Sequence, residues 1–302
     1  MLSVVDGEAA VTLKARDLEF TCLPCFGMLG VSLRHRGDEL LALPRSIAGF
    51  RDGKVTGLPL LHPYANRLSE WRYRIGPTTV DLQGQDIPTD PSGLPIHGFL
   101  RARPFEVTRL EPTRCIAELD LTRDAEFAHD FPFPQRLRVD IRVAPQTLTV
   151  ATVLIPTGRR AVPVSFGWHP FLTLPGTPRS QWQLRLPPCD RHVLDNQLIP
   201  TGSTTRQPRD TSPIGRRTYD DHFALGRDRR FAISDKRRTL EIAFDRGYAH
   251  AQIYLPGPDA ALTGDFICIE PMTAPTNALV DRSAPMCASV DTYRAVFTIT
   301  VS

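Results

Sequence analysis

Five short stretches place ionisable side chains among turn-formers and aromatics: HPYANRL (62–68), LPIHGFLR (94–101), FGWHPFL (166–172), YDDHF (219–223) and ICIEP (267–271). Histidine at 97 and 169 and glutamate at 270 are the chemically suggestive members. Imidazole and carboxylate groups exchange protons near neutral pH, and one that is well positioned contributes typically about 10²–10⁴-fold to a proton transfer. Taken singly, each also has an ordinary structural explanation. His97 beside Gly98 suits a turn histidine bonded to backbone. His169, between Trp168 and Pro170, suits a strand end. Glu270 closes the apolar run Phe266-Ile267-Cys268-Ile269, where a solvated rim carboxylate is common, and Asn66-Arg67 suits a turn with a surface arginine.

Their order along the chain is more informative. Asn66-Arg67, His97-Gly98, the W-H-P-F of Trp168 to Phe171 and the I-E-P of Ile269 to Pro271 span about two hundred residues. In this order they resemble the motifs of the aldose 1-epimerase family, the galactose mutarotases. The resemblance implies an all-β fold, a large antiparallel β-supersandwich with an open cleft over one sheet. It also implies interconversion of the α and β anomers of an aldose without a cofactor or a metal. Opening a pyranose ring requires one proton delivered to the ring oxygen and another removed from the anomeric hydroxyl, so one acid and one base are needed. By resemblance, His169 is the acid and Glu270 the base, while His97, Arg67 and the adjoining Asn66 bind the sugar. An aspartate completes the set: Asp220, three residues before Phe223, with Asp221 as the alternative because the acid is doubled.

Sugar faces also need flat apolar partners, and Trp168, Phe171, Phe99 and Tyr64 are the aromatics near these motifs, although core packing is the commoner fate of such rings. The compact His97-Gly98-Phe99-x-Arg101 departs from longer family members and is similar to hexose-6-phosphate 1-epimerases. In that reading Arg101, Arg103 or Arg72 would hold a phosphate. The intact W-H-P-F favours a free aldohexose. A non-catalytic sugar-binding protein would lack the acid or the base, and both are present. A hydrolase would call for two carboxylates flanking a bond.

The elements that must position these residues read as strands. Leu137, Val139, Ile141 and Val143 alternate with polar residues, and after APQT the pattern resumes through Leu148, Val150, Thr152 and Leu154, the signature of a hairpin with one buried face. Thr239 to Phe244 and His250 to Leu255 read as a second hairpin around Asp245-Arg246-Gly247. The segment Thr292 to Val301 alternates through Tyr293, Ala295, Phe297, Ile299 and Val301. Twenty-eight prolines disfavour long helices, leaving a short turn or helical piece near Thr276 to Arg282. The polar, Pro/Gly/Arg-rich stretch Thr201 to Thr218 reads as an exposed loop. No internal repeat is evident, so the expectation is one domain over residues 1–302.

Composition narrows the partners. The 36 basic and 33 acidic side chains nearly cancel, which argues against nucleic acid and membrane surfaces. Cys22 and Cys25 form a lone C-x-x-C without the second pair a structural zinc site would use, so the six cysteines read as reduced thiols. With neither a signal-peptide pattern nor an apolar run of about 18–20 residues, the expected location is the cytoplasm and the expected partner a small-molecule sugar.

Overall fold

A computed structural model gives the structure of residues 1–101, 103–257, 262 and 264–302. Strands predominate, and the pairings between them are antiparallel. Among the described residues, α-helices are confined to short pieces at Ile47–Arg51, Ala125–Asp130 and Ala278–Asp281. No helix among the described residues is long and apolar enough to cross a membrane. The all-β antiparallel sandwich expected from the sequence is the observed architecture.

A nine-stranded core sheet is centred on the hairpin Gln135–Ala144 and Thr147–Pro156, with Tyr293–Val301 and Thr239–Arg246 beside it. Its register is continuous from Gln135 opposite Pro156 to Ala144 opposite Thr147. Leu137, Val139, Ile141, Val150, Phe297 and Ile299 therefore bury one face of it. An eight-stranded cleft sheet lies against that face. It runs from Pro200–Gln207 through Cys189–Leu194, Tyr219–Leu225, His250–Leu255 and Ile267–Met272 to short strands at Gly167–Trp168, Phe171–Leu172 and Leu60–Leu61. Trp168 joins the two layers: its indole Nε1 donates to Thr152 Oγ1 at 3.0 Å, and its ring packs 6.0 Å from that of Phe297. A five-stranded N-terminal sheet, Leu2–Val5 to Asp38–Glu39, completes the main layers. All six cysteines are free thiols; Cys22 lies buried on Leu18–Leu23 and Cys25 in the 3₁₀ turn that follows.

Two sequence expectations are overturned. Thr239–Arg246 and His250–Leu255 do not pair with each other. The first lies in the core sheet beside Arg230–Ser234 and Tyr293–Val301, the second in the cleft sheet beside Tyr219–Leu225 and Ile267–Met272. The connection crosses between layers because Tyr248 is fully buried and Gly247, at φ +75°, packs so closely on Arg294 and Ala295 that a Cβ would lie within 2.8 Å. The stretch Thr201 to Thr218 is not a loop throughout: Pro200–Gln207 and Asp210–Pro213 are strands at the edges of the cleft and core sheets. Edge strands exposed on both faces need no apolar alternation, which is why composition read as loop.

Candidate active site

Strand parity determines what faces the cleft. On Tyr219–Leu225 the side chains of Asp220 and His222 share one face, while Phe223 turns inward to the core. Pairing aligns His222 with Gln252 and Gln252 with Glu270, so three strands contribute one polar row to the cleft face. The last partner comes from the segment 167–172. Gly167 pairs with Met272 and Phe171 with Cys268, and stepping two residues inward from both ends brings His169 level with Glu270. Pro170 lacks a backbone donor, and the ladder breaks at this point. The outcome is His169 Nε2 at 3.2 Å from Glu270 Oε1, with both side chains almost fully buried.

Two tight turns supply the opposite wall. Asn66 and His97 both adopt left-handed backbone, at φ 59° and 64°. Gly98 follows at φ 65°, with the His62 carbonyl so near that a Cβ would lie 2.2 Å from its oxygen; no larger residue fits, which explains the His-Gly pair. His97 N donates to Asn66 O at 2.9 Å, tying the turns together. The Asn66 side-chain oxygen accepts from the Arg67 backbone N–H at 2.8 Å and from its Nη1 at 3.1 Å. Arg67 also donates from Nε to Asp90 at 2.8 Å and from Nη2 to Asp220 at 3.4 Å. Asp220 accepts in addition from Gln252 Nε2 at 2.6 Å. The guanidinium is thus fixed in a buried frame of two carboxylates and an amide.

These groups line one cavity of about 530 Å³, within the range of small-molecule pockets. Asn66, Arg67, His97, His169, Asp220 and Glu270, separated in sequence, all reach it. Asp221 does not: it lies on the other face of its strand, where Arg191 Nε donates to it at 2.9 Å. Among the candidate aromatics, Phe171 lines the cavity and stacks on His169 with centroids 4.6 Å apart and planes 14° apart. Trp168 and Tyr64 are in the core, and Phe99 packs on Phe127 at 5.6 Å. Asp90, Gln252, Tyr254 and Arg45 also line the cavity and were not legible as site residues. They occur singly, away from the motifs, and only strand pairing and the turn at Asp90 bring them in. The proposed phosphate-holding arginines lie elsewhere. Arg103 pairs with Asp124 and Glu126, Arg72 lies near Asp81 on an exposed hairpin, and Arg101 donates to the Arg51 carbonyl behind the His97 turn.

Burial sets the protonation of the pair. It pushes the Glu270 carboxyl well above the ordinary range, reinforced by nearby Asp220 and opposed by Arg67. It pulls the His169 imidazole down to about 3, with a further push from Arg45. Both directions favour one shared proton residing on Glu270 in the ligand-free site. A pair with one proton always offers one donor and one acceptor. Burial also keeps His97 neutral, helped by His169 and Arg67, and raises Asp220, against the pull of Arg67. Glu270 Oε2, Gln252 Oε1 and His97 Nδ1 are buried without a hydrogen-bond partner among the described residues. Each such group left unpaired costs about 1–3 kcal/mol, so the cavity is suited to a ligand rich in hydroxyls.

Comparison with known proteins identifies the family and the fold. The family model for aldose 1-epimerase matches residues 30–284. The Escherichia coli K12 protein YihR, itself uncharacterized, is 24% identical over 242 residues, 74% of each chain. A galactose mutarotase-like protein from Clostridium acetobutylicum has a TM-score of 0.87 at 18% identity, over 100% of this chain and 98% of that one. Galactose 1-epimerase from Lactobacillus acidophilus NCFM has a TM-score of 0.76 at 14% identity, over 99% and 96%. The structural likenesses show the fold, and with a family match covering most of its length, the chain belongs to the aldose 1-epimerase family.

Proposed function

We propose that the protein interconverts the α and β anomers of a free aldohexose by acid–base ring opening and closure, with His169 and Glu270 as its proton-transfer pair. The contact of 3.2 Å between their side chains at the cavity wall carries this reading. The two sugar oxygens that exchange protons are both bonded to the anomeric carbon, so the acid and base that serve them must themselves be close neighbours. In the opening step a proton goes from the imidazolium to the ring oxygen and the bond from that oxygen to C1 breaks. Glu270 takes the proton of the anomeric hydroxyl as the carbonyl forms. Rotation about C1–C2 and the reverse transfers close the ring on the other face, and the proton count is restored.

His169 acts first as an acid only when the shared proton is on the imidazole. Burial alone favours Glu270, whereas a bound sugar and the Arg67 charge favour the imidazolium–carboxylate form. The proton needs to cross only one short contact. Arg67, Asp220 and Gln252 bind hydroxyls, Asn66 holds Arg67 in place, His97 bonds near the ring oxygen, and Phe171 offers an apolar face.

A 6-phosphorylated sugar is the second reading, since Arg45 on the cavity wall could serve it. Exchange NMR on α-glucose, α-galactose and α-glucose 6-phosphate separates the two. We expect catalysed exchange with the free sugars and weaker, salt-sensitive exchange with the phosphate. Preference for the phosphate would replace the free-sugar reading, and no acceleration with any aldose would overturn the assignment as an epimerase.

A further inference from the structure

We propose that His192, His222 and His250 form a binding site for one divalent transition-metal ion of the zinc class, beside the sugar cavity and distinct from it. The three histidines lie on three consecutive strands of the cleft sheet, Cys189–Leu194, Tyr219–Leu225 and His250–Leu255. Arg191 pairs with Phe223, which brings His192 beside His222 one step further on, and His250 pairs with Ala224 on the far side. One nitrogen from each ring lies within 4.8 Å of the other two.

The details fit ligation better than a chance meeting of rings. His222 Nε2 and His250 Nδ1 are 3.2 Å apart. A tetrahedral ion with bonds of about 2.0–2.1 Å holds its nitrogens roughly 3.3 Å from one another. Thr276 Oγ1 lies 3.4 Å from Nδ1 of His222. If that nitrogen carries the proton, Nε2 has a lone pair directed into the cluster, the arrangement in which an outer hydrogen bond sets a ligand's tautomer.

A simple hydrogen bond between His222 and His250 would account for two rings and leave out the third. Both ring nitrogens of His192 are buried without a partner among the described residues; an ion in the cluster engages one of them. Three imidazoles and no carboxylate select a borderline ion over magnesium or calcium, which take oxygen ligands. His222 is the row neighbour of Gln252, which donates to Asp220, so an ion here braces the strands that carry one wall of the sugar cavity.

The test is titration of chelator-treated protein with Co²⁺, followed by its visible absorption, and displacement by Zn²⁺. We expect saturation at one equivalent, and affinity lower by on the order of 100-fold or more in His192→Gln and in His250→Gln. Long-range proton–nitrogen NMR spectra of the native chain give a measurement that does not depend on the variants folding: Zn²⁺ should shift three of the eight imidazoles. Absence of saturable binding, affinity unchanged in both variants, as a site at Cys22 and Cys25 would give, or a response confined to His97 and His169 would each overturn the proposal.

Discussion

The core sheet and the cleft sheet share an antiparallel pattern and one apolar interface, yet their outward faces are used differently. In the core sheet the outward positions of Gln135–Ala144 include Arg136 and Arg138, which pair with Asp120 and Glu118 near the surface. Such exposed pairs contribute little, about 0–1 kcal/mol each. In the cleft sheet the corresponding positions are His222, Gln252 and Glu270, almost fully buried beneath the turns that carry Asn66, His97 and Asn277. Covering a polar sheet face costs stability and produces reactivity, since buried groups change their proton affinity and lack partners that a ligand then supplies. The core sheet supplies the stability from which the cleft sheet departs.

Exchanging a single atom type on the cleft face should separate the two properties most sharply. Glu270→Gln keeps the shape and removes the base, and we expect anomer exchange to fall by on the order of 10⁴-fold, about 5–6 kcal/mol in the barrier, with a normal fold by circular dichroism. His169→Asn should lose about 10²–10³-fold. Polarimetry corrected for the spontaneous rate measures both, and near-native activity in either variant would remove that residue from the pair. The converse change is Phe231→Ala in the core sheet, where the ring is fully buried and 5.3 Å from Phe244. It should lower unfolding free energy by about 3–5 kcal/mol while leaving kcat of the folded protein unchanged; a matching loss of kcat would mean that the layers are not functionally separate.

The two aspartates compare the faces of one strand. Asp220 meets Arg67 and Gln252 in the cavity, whereas Asp221 meets Arg191 outside it. Asp220→Asn should raise KM by about tenfold, the scale of one charge-assisted hydrogen bond, and Asp221→Asn should leave KM as it was. The reverse result would exchange the two assignments.

The same contrast explains what the sequence made legible. Period-two alternation revealed the hairpin of 136–154 and the strand ending at Val301, because one wet face and one dry face leave a pattern. Alternation shows which way a side chain points but not which strand lies beside it, so it does not reveal that Thr239 to Phe244 and His250 to Leu255 belong to different layers. The polar edge strands within 200–213 have no dry face and left no pattern. At the site, His169, Glu270, His97 and Arg67 were recognisable because they sit in compact motifs. Gln252, Tyr254, Asp90 and the histidines at 192, 222 and 250 are isolated letters that only strand pairing assembles. The choice between Asp220 and Asp221 depends on parity relative to Phe223, which an undefined strand start leaves open.

A change of pH reads the resting proton directly. The Glu270 carboxyl is raised in the folded state by burial, so its folded pKa exceeds its unfolded value. The stabilisation linked to its protonation is present at low pH and is lost as pH rises through the folded pKa. Glutamine at 270 does not titrate. Relative to Glu270→Gln, the native protein should therefore lose stability between pH 5 and pH 8, by at most about 1.4 kcal/mol for each unit until the folded pKa is reached. Denaturant midpoints at the two pH values measure the difference. A constant difference, or one that shrinks with rising pH, would mean that Glu270 is already ionised in the empty site. Catalysis discriminates in the same way. Because His169 is pulled down to about 3, the one-proton pair survives acidification well below the ordinary histidine value near 6.5. The rate should then stay level through pH 6 down to pH 5, where an independent histidine would show a break.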